Sequence, residues 1–197
     1  MRVALAALLC ALAACRGMGI DCIELLPAIS QLKGGSRRME RHEVGHVVLF
    51  DDTYNANPES ARAAVRFLAG LHGKGRRVLV LGDMLELGES GPAAHRELGE
   101  LLAGAPAPEL IVLVGNLASL AAGVLARDPR REVMMLDGLT PARAAEIAAL
   151  LRPGDIVLLK GSRRMGLERV LESVRAAHGA TGRGVEMPPA RAGWGRE

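Results

Sequence analysis

The sequence predicts an α/β fold: a Rossmann-like, mostly parallel sheet of five or six strands with helices on both faces, preceded by two further helical stretches. Three observations carry this. The runs Val78–Leu81, Leu110–Val114 and Ile156–Leu159 are apolar without interruption, as strands covered on both faces must be. They alternate with stretches whose apolar residues recur at helical spacing. Hydrophobic content is 49% while aromatics are only 2%, so the core must be built from Leu, Val, Ile, Ala and Met.

Taken in order, Met1-Arg2, an apolar Val3–Ala14 and then Cys15 can be read as a lipoprotein signal or as a helix. The run is too short to span a membrane. It leads through Gly17-Met18-Gly19-Ile20-Asp21 into a second amphipathic stretch, Ile23–Ile29, where a signal would be followed by a polar tether. The helical reading is therefore preferred. Lys33-Gly34-Gly35-Ser36 is a loop, and Arg38–Glu43 and His46–Phe50 flank Val44-Gly45 as a hairpin. Residues 58–71 form a helix with Ala61, Ala64, Val65, Leu68 and Leu71 on one side, closed by Gly73. After the strand 78–81 come a loop, Gly82–Gly88, and a helix, 92–103. The strand 110–114 is followed by a helix at 116–126 and a short strand, Val133–Leu136. Thr140-Pro141 caps a helix at 141–151, Asp155–Leu159 is the last strand, and Gly166–Ala177 is the last helix. This gives three segments: 1–35 with its helices and a linker, a Rossmann-like domain at 36–178, and a tail at 179–197 whose Gly, Pro and Arg content predicts disorder.

A chain of 197 residues can bury one good core. Its net charge of +3 and pI near 9.0 would suit anionic ligands. No basic run interleaved with aromatics is present, which argues against nucleic acid. Cys10, Cys15 and Cys22 form no C-x-x-C pair and have no His–Cys cluster after them, so no metal site is expected.

The most informative stretch is Asp51-Asp52-Thr53-Tyr54-Asn55-Ala56-Asn57-Pro58, where an apolar strand hands over to a helix. Asn57 reads as the N-cap, Pro58 as the first helical residue and Glu59 as a first-turn acid. A capping turn explains Asn57-Pro58 but not Asp51, Asp52 and Asn55 together, and ligands bind at the carboxyl edge of open α/β sheets. Gly82–Gly88 and Lys160-Gly161-Ser162-Arg163-Arg164 also follow strands, so the three loops would converge. In the third, small residues beside a lysine and two arginines suit an anion; a plain helix-capping turn is the alternative. No G-x-x-x-x-G-K-[ST], no G-x-G-x-x-G after the first strand and no nucleophile elbow occurs.

Together, Asp51–Pro58, Leu81-Gly82-Asp83-Met84-Leu85-Glu86-Leu87-Gly88 with His95, and Lys160-Gly161-Ser162-Arg163 closely resemble the C-terminal domain of the Mur ligase family, over about residues 36–177. The nearest branch is the one that attaches D-alanyl-D-alanine to UDP-N-acetylmuramoyl-tripeptide in peptidoglycan precursor synthesis. The resemblance implies a cytoplasmic, ATP-dependent ligase that phosphorylates a peptide carboxylate before the amine attacks. It implies Asp52, Asn55 and Asn57 near the adenosine of ATP. It also implies Lys160, Ser162 and Arg163 at a phosphate or dipeptide carboxylate, with Lys160 as the catalytic point charge. Asp83 and Glu86 would bind the incoming ammonium group or orient their loop. Mg²⁺ ligands and the P-loop would belong to an earlier domain, so this chain is expected to be inactive alone. Residues 1–35 would be remnant helices of the central ATP-binding domain, with Met1 inside a longer reading frame. The rival readings are a free-standing nucleotide-binding module and an exported lipoprotein with a binding role.

Overall fold

The computed structural model describes residues 2–30, 36–104 and 108–179. The chain divides into two compact units, Met1–Gly35 and Ser36–Glu197. The first contains α1 (Arg2–Gly17) and the short α2 (Leu26–Ser30). After α1 the chain turns at Gly19, φ +82°, and the Ile20 N–H returns to the Cys15 carbonyl. The second helix starts later than Ile23, because turns at Cys22–Leu25 precede it. Leu9, Met18, Ile23 and Leu26 are all exposed large apolar residues of this unit. Among the described residues, no helix is long and apolar enough to cross a membrane.

The second unit is the expected α/β sheet. Its strands are β1 (Glu40–Val44), β2 (Val47–Asp52), β3 (Arg77–Gly82), β4 (Leu110–Val114), β5 (Glu132–Leu136) and β6 (Ile156–Lys160). They lie in the order β1-β2-β6-β3-β4-β5. The β1–β2 hairpin is antiparallel and every other pairing is parallel. The hairpin turns at Gly45, whose φ of +58° suits a residue without a Cβ. The helices are α3 (Pro58–Ala69), α4 (Gly91–Gly104), α5 (Ala122–Leu125), α6 (Pro141–Leu150) and α7 (Glu168–His178).

Alternation along the inner strands sorts the core into two layers. Val78, Val80, Val112, Val157 and Leu159 pack with α6 and α7 on one face. Leu79, Leu81, Ile111, Leu113 and Leu158 pack with α3 and α4 on the other. At the amino edge Asp155, 1% exposed, accepts hydrogen bonds from Arg76 N, Nε and Nη2 and from Arg152 N.

Several boundaries differ from the sequence reading. The single helix expected at 116–126 is a 3₁₀ turn, Ala118–Ala121, followed by one turn of α-helix, α5. Gly123 lies within this short run, and isolated short helices gain little from propensity. The last helix begins at Glu168, because Gly166 at φ +63° interrupts it after a 3₁₀ turn, Arg163–Met165. Helix α3 ends at Ala69, where the Gly70 N–H bonds to the Arg66 carbonyl, and not at Gly73. The loop residues Lys33–Gly35 and the tail from residue 180 onward lie outside the described residues.

Candidate functional site

Strand order brings the three motif loops together. β6 lies between β2 and β3, so the loops that follow these three strands share one stretch of the carboxyl edge. The chain leaves β6 for α7 on one face, and leaves β2 and β3 for α3 and α4 on the other. Divergence of that kind opens the crevice in which α/β sheets take ligands.

After β2, the Asp51 carboxylate accepts from the Thr53 N–H and hydroxyl at 3.1 and 2.7 Å, which folds the backbone into a local turn. Asn55 Oδ1 accepts from the Ala56 N–H, and Asn57 caps α3. The Asn57 side chain accepts from Ser60 N while the Ser60 hydroxyl accepts from Asn57 N, a complete capping box. Between them Tyr54 stays exposed, with the Arg38 guanidinium 4.3 Å from its ring centroid and Arg163 at 6.0 Å. The Tyr54 N–H bonds to the Arg37 carbonyl, tying this loop to a segment in which Arg37 and Met39 both hold φ +58°.

Lys160 is not at the mouth of the cleft. It is the last residue of β6 and not the first of the loop, and strand alternation turns it to the α3 face like Leu158. It lies opposite Asp52 in the β2–β6 register. Its ammonium group, 2% exposed, is held by Asp52 Oδ2 at 2.8 Å, the Asn55 carbonyl at 2.6 Å and the Asp52 carbonyl at 3.4 Å. Three acceptors use all three donors of a lysine. Asp52 is correspondingly engaged with Lys160.

After β3, Asp83 is also turned inward. Its Oδ1 accepts the Ala118 N–H at 2.7 Å, and its carbonyl accepts the Ser162 N–H at 3.1 Å. The neighbouring Gly115, φ +110°, leaves the space: a Cβ there would lie 2.5 Å from the Asp83 carboxyl. The Met84 N–H donates to His95 Nε2 at 2.9 Å and the Leu85 N–H to Ser162 Oγ at 2.8 Å. Glu86 then turns out to solvent at φ +69°.

The result is an open cleft of about 260 Å³ lined by Tyr54, Asn55, Leu85, Glu86, Ser162, Arg163 and Arg164. Of the residues singled out in the sequence, Asn55, Glu86, Ser162 and Arg163 are at the cleft; Asp52, Asn57, Asp83 and Lys160 serve the framework behind it. Tyr54 also lines the cleft, although its motif alone assigns it no role. It is the only tyrosine of the chain, and its place inside the Asp51–Pro58 motif of so aromatic-poor a sequence is the signal that sequence offers. Two exposed arginines, Arg163 and Arg164, and one exposed glutamate, Glu86, line the cleft. A phosphate or carboxylate would find charge-assisted donors there, each interaction worth roughly 1.5–3 kcal/mol. Among the described residues no group of three or more His, Cys, Asp or Glu could hold a metal ion.

Fold and cleft together define a Rossmann-like α/β protein with an open, polar cleft at the carboxyl edge of its sheet. The family model for the Mur ligase, glutamate ligase domain matches residues 37–163, and the chain belongs to the Mur ligase family. It is similar to the UDP-N-acetylmuramoyl-tripeptide–D-alanyl-D-alanine ligase of Synechocystis, with 34% identity over 168 residues, 84% of this chain and 35% of that protein. The Bacillus subtilis protein of the same name is 32% identical over 169 residues, 83% of this chain and 36% of its own length. Among solved structures, MurF from Acinetobacter baumannii superposes with a TM-score of 0.69 at 30% identity, over 81% of this chain and 35% of that one. MurF ligase from Thermotoga maritima, solved in complex with ADP, gives a TM-score of 0.59 at 28% identity, over 84% of this chain and 36% of that one. The chain thus spans about a third of the length of the curated relatives it matches.

Proposed function

We propose that this chain serves an ATP-dependent, cytoplasmic ligase that joins D-alanyl-D-alanine to UDP-N-acetylmuramoyl-tripeptide. The observation that carries the reading is the convergence of three motif loops on one cleft, in a chain similar along most of its length to ligases of that name. ATP supplies the phosphoryl group that activates the carboxylate for amide formation. In this reading Arg163 and Arg164 hold an anionic group, a phosphate or the dipeptide carboxylate, and Ser162 and Asn55 orient it. Glu86, across the cleft, faces the ammonium end of the dipeptide, and the exposed Tyr54 ring offers an apolar face. Asp52 and Lys160 act behind the cleft by fixing the backbone of the Asp52–Asn55 turn. Asn57 acts by starting α3.

No phosphate-gripping G-x-x-x-x-G-K-[ST] loop and no magnesium donor set is found here, in the sequence and among the described residues respectively. We read residues 1–35 as the counterpart of the end of the family's central ATP-binding domain, a reading supported by the match to the Synechocystis ligase, which covers 84% of this chain. We expect the chain alone to give no ATP-dependent condensation. Robust turnover by purified residues 1–197 would overturn this. The ligand reading is tested by titrating the ¹⁵N-labelled chain with ATP and with D-alanyl-D-alanine separately. Expected are amide shifts at Asn55, Glu86, Ser162 and Arg163. Shifts for ATP alone would favour a nucleotide-binding module of another activity, and none with either would remove the reading.

A further inference from the structure

We propose that His95 is a positioning residue of the carboxyl-edge cleft: as a neutral imidazole with its proton on Nδ1, it accepts the Met84 N–H and so fixes where Leu85 and Glu86 stand. His95 lies one turn into α4 and is 1% exposed. Its Nε2 is 2.9 Å from Met84 N, and its Nδ1 is 2.7 Å from the Gly91 carbonyl. A backbone N–H can only donate and a carbonyl oxygen can only accept. The two contacts together therefore assign the tautomer, with Nδ1–H donating to Gly91 and a bare Nε2 receiving Met84. With both nitrogens engaged the ring cannot rotate. It becomes a rigid link from α4, whose Ala94, Leu98 and Leu102 are buried in the core, to the main chain behind the cleft.

That main chain needs such a link. Beyond Gly82 it leaves the sheet, and two successive amides, Met84 and Leu85, are bonded to side chains, those of His95 and Ser162. The next residue, Glu86, stands at φ +69°, in the left-handed region that residues with a Cβ rarely adopt. Such a backbone persists where its surroundings over-determine it. Here Met84, fully buried, is the anchor on the near side of the turn, and His95 holds the anchor's N–H. Leu85 and Glu86 are cleft-lining residues, so the imbedded imidazole acts on the cleft through them and touches no ligand itself. The ligand reading above supplies only the purpose of this wall; the anchoring is a property of the fold.

Amide hydrogen exchange on the ¹⁵N-labelled chain tests the proposal in wild type, His95→Leu and His95→Gln. Loss of one buried hydrogen bond should speed exchange at Met84 and Leu85 by about tenfold. Val112 and Val157, in the sheet interior, should keep their wild-type rates. The glutamine variant, whose side-chain oxygen can accept the same N–H, should recover most of the protection. Equal acceleration at Val112 and Val157 would make His95 a packing residue only, and overturn the proposal. So would unchanged rates at Met84 and Leu85 in His95→Leu, or no recovery with glutamine. Should the leucine variant fail to fold, the wild-type imidazole ¹⁵N spectrum decides: a proton on Nε2 in the folded protein refutes the assignment. Failure of the ligand reading shows separately, as wild-type Glu86 and Ser162 amides that do not move with ATP or D-alanyl-D-alanine, while the exchange comparison stands.

Discussion

The Asp52–Lys160 pair should respond unequally to loss of its two ends. Lys160 is 2% exposed, whereas the Asp52 side chain retains 16% of its surface. Asp52→Ala strands an ammonium group among two carbonyl oxygens, at 2.6 and 3.4 Å, with no countercharge. Removing one partner of a buried pair costs about 3–5 kcal/mol. The two carbonyl acceptors that remain place the expected loss near the lower end, about 3 kcal/mol. Lys160→Met keeps the volume of the stem and removes the charge. It leaves a carboxylate that water already reaches, so the expected loss is about 1–2 kcal/mol. In the double variant neither charge is left stranded, and the loss should not exceed that of Asp52→Ala alone.

Urea and thermal unfolding of the chain measure this directly. For a domain of this size 1 kcal/mol moves Tm by about 2–4 °C, so Asp52→Ala should melt about 6–12 °C lower and Lys160→Met about 2–8 °C lower. A double-mutant cycle should return a coupling of about 1–2 kcal/mol. Strictly additive losses would refute the reasoning, as would a larger loss in Lys160→Met than in Asp52→Ala. If the lysine instead served a ligand as the sequence motif suggests, Lys160→Met would leave Tm unchanged and abolish the amide shifts produced by ATP or the dipeptide.

Three further outcomes are expected. Asp155→Ala, which orphans Arg76 and the Arg152 N–H at the amino edge, should cost about 3–5 kcal/mol in urea unfolding and leave ligand-induced shifts at the cleft unchanged; a loss below 1 kcal/mol would show that water replaces the carboxylate. Asn57→Ala should cost about 1 kcal/mol and Asn57→Asp almost nothing, because both native and aspartate side chains can accept the Ser60 N–H; a nucleotide-binding defect in Asn57→Asp at unchanged stability would contradict a purely capping role. The Arg130 guanidinium, hydrogen-bonded to Asp128, pulls its carboxyl down from 3.8 to about 2. Because the folded value is the lower one, this contribution to stability is complete above pH 3.8 and disappears as pH falls through 2. A carboxyl ¹³C titration midpoint near 3.8 in the folded protein would disprove it.

The layers of the fold were legible because burial writes itself into composition. Leu110–Val114 contains no polar residue, and no half-solvated strand could tolerate that. Asn57-Pro58 and Thr140-Pro141 marked helix starts for a local reason, a side-chain acceptor followed by a residue lacking an N–H, and both side chains do cap. The position of β6 was not legible. Its place between β2 and β3 arises from pairings of residues about a hundred and about eighty positions apart, such as Asp52 with Lys160 and Arg77 with Ile156. The apolar run Ile156–Leu159 marks an interior strand, but nothing local in it favours that slot over another interior one.

The candidate site shows the same division at the scale of single residues. Counting Lys160 as the first loop residue points it at a ligand; extending β6 by that one residue assigns it to the α3 face, because strand side chains alternate. A sequence does not announce where a strand yields to its loop, and here the whole reading of a charged residue depends on it. Asp83 and Glu86 looked equivalent as acids three positions apart, yet the fold separates them by opposite means. Gly115 vacates the space into which Asp83 folds, so that carboxylate caps Ala118. Glu86, forced to φ +69° beyond two anchored amides, is turned outward. The acid that lines the cleft is thus selected by a glycine just after one strand and a histidine on one helix. Motif spacing alone therefore marks the loops that converge on the cleft, and the packing behind them decides which of their residues line it.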